Sequence, residues 1–119
     1  MNMKRIPLKR VDLRLPGQAP DTPPVQFRYS DAIFGILNAT AADRGIPLSE
    51  INKALRIINP IEAALQSESD FVLLEDADWQ HLKQAVETYR GWRIIHRAIE
   101  DFAQDITKAV DADEAASSP

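Results

Sequence analysis

The sequence predicts an α+β domain: an N-terminal β-hairpin packed on four or five helices, with a short third strand possible at 71–74. Three observations predict it. Apolar and polar residues alternate over 11–15 and again over 25–29, the period of strands with one covered face. From Ser30 onward the apolar residues recur three and four apart, the period of helices that share a core. The 119 residues, 45% hydrophobic and 27% charged, suit one globular unit with its own core, expected over 1–110.

The strands come first. Val11, Leu13 and Leu15 alternate with Asp12 and Arg14, and Val25, Phe27 and Tyr29 alternate with Gln26 and Arg28. Ile6 and Leu8 alternate in the opposite parity, which predicts a bulge near Lys9 and Arg10. The intervening stretch 16–24 holds Pro16, Pro20, Pro23 and Pro24, cannot continue a ladder, and reads as a long mobile hairpin loop.

The helices follow. Ser30 is an N-cap residue with Asp31 in the first turn, and Ile33, Ile36, Leu37 and Ala41 form an apolar stripe. Gly45, Ile46 and Pro47 spell a stop, with Gly45 suited to a left-handed C′ position. Ser49 reads as the cap of a second helix with Ile51, Leu55 and Ile58 on its core face. Asn59–Pro60 predicts a break or kink, after which Ile61, Ala64 and Leu65 continue to Gln66, and Ser67–Asp70 is a polar loop. Phe71–Leu74 is either a third strand beside the hairpin or a buried extended lead-in to the next helix. Glu75, Asp76 and Asp78 crowd a helix start, where free N–H groups favour carboxylates. Trp79, Leu82, Val86 and Tyr89 form the next stripe, ended by Gly91. Ile95, Ala98, Ile99, Phe102, Ile106 and Val110 form the last, and 111–119 reads as a disordered acidic tail.

Charge is unevenly placed. The net charge is −4, yet residues 1–28 carry six basic groups against two acidic, while 67–119 carry five against twelve. An acidic C-terminal half repels phosphate and disfavours broad nucleic-acid binding. No apolar run approaches the roughly 18 residues a membrane span needs. The chain has no cysteine, hence no disulfide frame and no thiol nucleophile, which fits a cytoplasmic protein.

Catalytic chemistry finds little to use. His81 and His96 have no second histidine at ligand spacing, so no metal site is expected. The Glu75–Asp78 cluster lacks the glycine bend and distal glutamate of a calcium loop. Asp101 and Asp105 sit four apart with Arg97 and Lys108 nearby, the pattern of a solvated, ion-paired helix face. No nucleophile elbow, phosphate loop or dinucleotide fingerprint occurs, and no cofactor is expected. Trp92, after Gly91, either fills a junction between helices or anchors an interface.

Within Thr40–Arg56, Ala41, Gly45, Ile46 in the turn, Ser49 opening the second helix, Ile51 as its buried residue, and Asn52-Lys53-Ala54 together resemble the helix-turn-helix of Cro-type phage repressors. Arg44 departs from that pattern, standing where a leucine is usual. The resemblance implies that Ser49, Asn52, Lys53 and Arg56 face DNA. Over a longer span, the basic hairpin Leu8–Asp12, the amphipathic Ser49–Ile57, the segment Val72–Lys83 and a last helix are similar in order to small proteins encoded by tailed phages and prophages. That resemblance implies an accessory or assembly role without catalysis. The leading expectation is therefore a non-enzymatic domain that binds another protein or itself, with Trp92, Tyr89, Arg10, Arg14 and Arg28 as contact residues. DNA binding through 41–56 is the alternative.

Overall fold

A computed structural model describes residues 3–14, 17–92 and 97–111, with backbone alone over 40–44. The readings that fell on Leu15, Ile95, His96, the Ala41 and Arg44 side chains and the tail from 112 lie outside the described residues. Strands and helices both form, as an α+β chain requires.

The N-terminal segment does more than start a hairpin. Met3–Pro7 (β1) is a separate strand, and Arg10–Leu13 (β2) pairs antiparallel with Val25–Arg28 (β3) in a second sheet. The register sets Val11 opposite Phe27 and Leu13 opposite Val25. The parity change at Lys9 and Arg10 therefore marks a switch between sheets rather than a bulge. Backbone bonds hold both sides of the switch: the Leu8 N–H donates to the Asp70 carbonyl (2.8 Å) and the Tyr29 N–H to the Lys9 carbonyl (3.0 Å).

β3 runs directly into Tyr29–Arg44 (α1), one residue ahead of the expected Ser30 cap. Tyr29 is almost wholly buried, and Ser30 is buried with it, so the chain must turn at the strand end to bring the phenol ring inside. Ile33, Ile36 and Leu37 follow on the buried side. Gly45 ends the region at φ +67, in the left-handed range.

Leu48–Gln66 (α2) starts before Ser49 and passes unbroken through Pro60. The Pro47 carbonyl accepts from Glu50 N–H (3.0 Å) and Ile51 N–H (3.2 Å), so the backbone of a preset proline starts the helix and no side chain caps it. Pro60 costs the helix one N–H, an effect of about 3 kcal/mol. It is carried by its neighbours Ile57 and Ile61, both fully buried, each contributing about 1.5–3 kcal/mol. The core face of α2 is thus Ile57 and Ile61, with Ile58 half-buried; the expected core residues Ile51 and Leu55 are exposed.

Phe71–Glu75 (β4) is a strand, but it pairs with β1 and not with the hairpin, Ile6 facing Val72 and Lys4 facing Leu74. Asp76–Thr88 (α3) buries Trp79, Leu82 and Val86 and ends at Thr88, with Tyr89 as its extended C-cap two residues before Gly91. Gly91 matters for space: a Cβ there would run into the Tyr89 ring. Arg97–Thr107 (α4) buries Ala98, Phe102 and Ile106 and stops short of Val110. Val110–Asp111 (β5) is instead a short strand on the other side of β1, giving the order β4-β1-β5. Asp111 then reaches Lys4, its Oδ1 2.8 Å from Nζ.

The core joins both sheets to all four helices of the described residues. One part is aromatic. Phe102 stands edge-on to Tyr29 (4.9 Å between centroids), Phe27 (5.7 Å) and Trp92 (6.0 Å). Beside it, the Tyr29 hydroxyl donates to Asp105 Oδ2 (2.7 Å), which also receives Lys9 Nζ (3.0 Å). Asp105 therefore ties α4 to Lys9 and Tyr29 on either side of the β2–β3 hairpin, whereas its spacing predicts an ion pair along its own helix.

Burial, then the hydrogen bond and charge of Asp105, then the charge of Asp101, push the Tyr29 phenol pKa well above its ordinary value. The folded state favours the protonated phenol, so its stabilising contribution is complete below about pH 10 and is lost as pH rises toward the folded value. Unfolding titrations between about pH 10 and 11.5 should show stability falling by up to about 1.4 kcal/mol per pH unit from this group. In Tyr29→Phe that alkaline slope should flatten, with a loss of about 1 kcal/mol at neutral pH. Parallel slopes for the two proteins would refute this account.

Candidate interaction surface

α2 is apolar on two sides. Ile57 and Ile61 point into the core, and half a turn away Leu48, Ile51 and Leu55 lie at i, i+3 and i+7 on the outside. Leu48 is 71% exposed, Ile51 40% and Leu55 41%. Asn52 and Asn59 are exposed on the same side. Among the described residues, the charges on the outward face from Leu48 to Gln66 are Arg56 at its border and Glu62 toward its C-terminal end.

Next to this face lies β4, an edge strand of its sheet, with Leu73 39% exposed. Helix and strand edge enclose an open groove of about 630 Å³, with Met3, Leu55, Asn59, Pro60 and Leu73 along it. One end is closed by ion pairs: Arg56 Nη2 lies 3.2 Å from Glu75 Oε2, and Arg56 Nε 3.2 Å from Asp78 Oδ1. The result is an apolar ridge beside a largely apolar groove.

The expected contact residues fall elsewhere. Tyr89 and Trp92 stack edge-on (4.9 Å) and pack against the core, Trp92 touching Phe102, so Trp92 fills the junction between α3 and α4. Arg14 donates to the carbonyls of Pro20 (3.2 Å) and Thr22 (3.1 Å) and braces the proline-rich loop. Arg10 and Arg28 face each other across β2 and β3, both exposed, with Arg28 Nε donating to Gln26 (2.7 Å). Of these five, Tyr89 is thus paired with Trp92 and Arg10 stands opposite Arg28.

Of the DNA-facing set, Ser49, Asn52, Lys53 and Arg56 are all exposed on α2. Their cations are engaged, however: Lys53 with Glu50 (3.3 Å) and Arg56 with two carboxylates. Ile51, the residue a helix-turn-helix would bury, faces solvent.

A polar groove of about 590 Å³ between α2 and α3 has Lys53, Arg56, His81 and Lys83 facing Asp78 and Glu87, opposite charges intermixed. A smaller hollow of about 180 Å³ sits where α1, α2 and α3 meet, with Ile36, Leu37 and His81 on its wall. Among the described residues no three acidic or histidine side chains converge as metal ligands, and no helix is long and apolar enough to cross a membrane. Comparison with protein-family models, with curated proteins and with solved structures finds no match.

The surface that emerged was missed in the sequence, though its signal was there. Two apolar stripes run along Leu48–Gln66, one through 48, 51 and 55 and another through 57, 61 and 65. A helix apolar on both sides either lies wholly inside or offers one side to a partner.

Proposed function

We propose that this chain is a non-enzymatic protein-interaction module, cytoplasmic and of the phage or prophage accessory or assembly kind, that docks through the outward face of α2 and the adjoining edge of β4. The observation that carries this is the exposed run Leu48, Ile51 and Leu55 with Leu73 beside it. Leaving four large aliphatic side chains in water gains the monomer nothing. Covering them supplies roughly 25 cal/mol per Å² of apolar area. The phage context rests on the order of segments alone.

DNA binding through the same helix is the second reading. The exposure of Asn52, Lys53 and Arg56 supports it. The ion pairs on Lys53 and Arg56, the outward Ile51 and the net charge of −4 weigh against it.

The test is photo-crosslinking in cells, with benzoylphenylalanine replacing Leu55 in the full chain and, as control, replacing Thr88 on α3. The expected result is adducts of defined protein mass from position 55 and none from 88. Adducts to nucleic acid would favour the second reading, and no adduct beyond the control would overturn both.

A further inference from the structure

We infer that the occupant of the α2 face is a second copy of this chain, related by a two-fold axis that crosses α2 between Ile51 and Asn52. The inference rests on the reading of this face as a docking surface and names its partner.

Self-complementarity is the first argument. A two-fold interface joins a patch to itself, so the patch must contain both a projection and a place to receive it. Here it does. Leu48 is the most exposed large hydrophobic side chain among the described residues. The groove beside Leu55, with Met3 and Leu73 along it, lies seven residues further along the same helix. Two antiparallel α2 helices crossing at the stated axis set Leu48 against the partner's Leu55, and each Leu48 enters the groove of the other copy.

Charge is the second argument. A partner chosen for its charge needs unengaged charges to meet, and those lining this groove, Arg56, Glu75 and Asp78, are paired with one another, which leaves Glu62 further along the helix. In the antiparallel arrangement the two Glu62 side chains stand roughly 30 Å apart along the helices, beyond the Debye length of about 10 Å. Near the axis the polar residue is Asn52, whose amide both donates and accepts and can therefore pair with its own copy. A buried asparagine of this kind also fixes the register of two helices. The strip from Leu48 to Asn59 is roughly 17 Å long, which with the groove gives an interface at the small end of specific contacts. The dimer is accordingly weak, with a Kd of tens of micromolar as an order of magnitude.

Sedimentation of the purified full chain between about 5 μM and 500 μM tests this across the expected Kd. The mass should climb from 13.3 kDa toward twice that value with concentration. Because each copy carries a net charge of −4, raising the salt should tighten association. Leu48→Glu, at a position already in water, should keep the circular dichroism of the parent and remain at 13.3 kDa throughout. A parent that stays monomeric at every concentration, or a Leu48→Glu protein that associates equally well, would overturn the inference. The cell crosslink separates this failure from that of the underlying reading. An adduct at position 55 to a different protein, with a monomeric purified chain, overturns only self-association. Absence of any adduct removes the docking surface itself.

Discussion

Phe102→Ala should destabilise the fold by about 4 kcal/mol, lowering the melting temperature by roughly 15–20 °C. Phe102 is fully buried on α4 and meets three other rings edge-on, at 4.9 Å from Tyr29, 5.7 Å from Phe27 and 6.0 Å from Trp92. Truncation removes the transfer energy of the ring and leaves a cavity that those three rings cannot close, because each is held elsewhere. Tyr29 is bonded to Asp105, Phe27 sits in the β2–β3 ladder, and Trp92 is stacked on Tyr89. Each lost edge-to-face contact removes a further 0.5–1.5 kcal/mol or so beyond area. Phe102→Leu keeps most of the volume and should cost only about 1–1.5 kcal/mol. Urea unfolding of both variants provides the measurement. A loss below about 1 kcal/mol in the alanine variant would show that the aromatic cluster does not hold α4 to the hairpin.

Where one physical rule decided a segment, the sequence was legible. The β2–β3 pairing followed from alternation, the left-handed Gly45 from the Gly-Ile-Pro stop, and the buried Trp79, Leu82 and Val86 from a single unopposed stripe. Legibility failed where two rules competed. Pro60 is a breaker by its missing N–H, yet Ile57 and Ile61 on either side are so deeply packed that tertiary burial overrides the local preference. Val110 continues the helical spacing of α4, but Thr107 ends the helix and β1 offers Val110–Asp111 an unpaired edge. That pairing depends on a strand over a hundred positions earlier in the chain, which no local window contains. The sheet partners of β1 were hidden for the same reason.

The candidate surface was harder to see because apolar spacing reports amphipathicity without saying which side is inside. Ile51, Leu55 and Ile58 satisfy helical spacing as well as Ile57, Ile61 and Leu65 do. The packing of β4 and α3 against α2 makes the choice, and it leaves Ile51 and Leu55 in water. Ionisable groups misled in the opposite way. Lys4, on a strand with basic neighbours, has a side chain only 16% exposed and lies over the Trp79 ring at 4.6 Å. Asp105, spaced for surface pairing, carries the Tyr29 bond instead.

Trp79 carries the second large expected effect, since it links α3 to both β1 and the end of α4. Its indole N–H donates to the Ile106 carbonyl at 2.8 Å, in a buried setting at the last turn of α4, where carbonyls lack partners within the helix. Its ring lies under the ammonium of Lys4 at 4.6 Å and of Lys83 at 5.2 Å. Trp79→Ala should cost about 4–5 kcal/mol through the cavity and the lost ring contacts. Trp79→Phe separates the terms. It keeps a ring for Lys4 but leaves the Ile106 carbonyl with only the long bond from the Ala109 N–H (3.4 Å), for which about 1–2 kcal/mol is expected. The two variants should also differ in where they loosen the molecule. Lys4 pairs with Asp111 on β5 and uses Trp79 as its floor, so removing the ring should speed amide exchange at Val110 and Asp111 more than at the Ile6–Val72 pairing of β1 with β4. Uniform acceleration across both edges of β1 would mean that Trp79 stabilises the fold as a whole and does not hold β5 through Lys4.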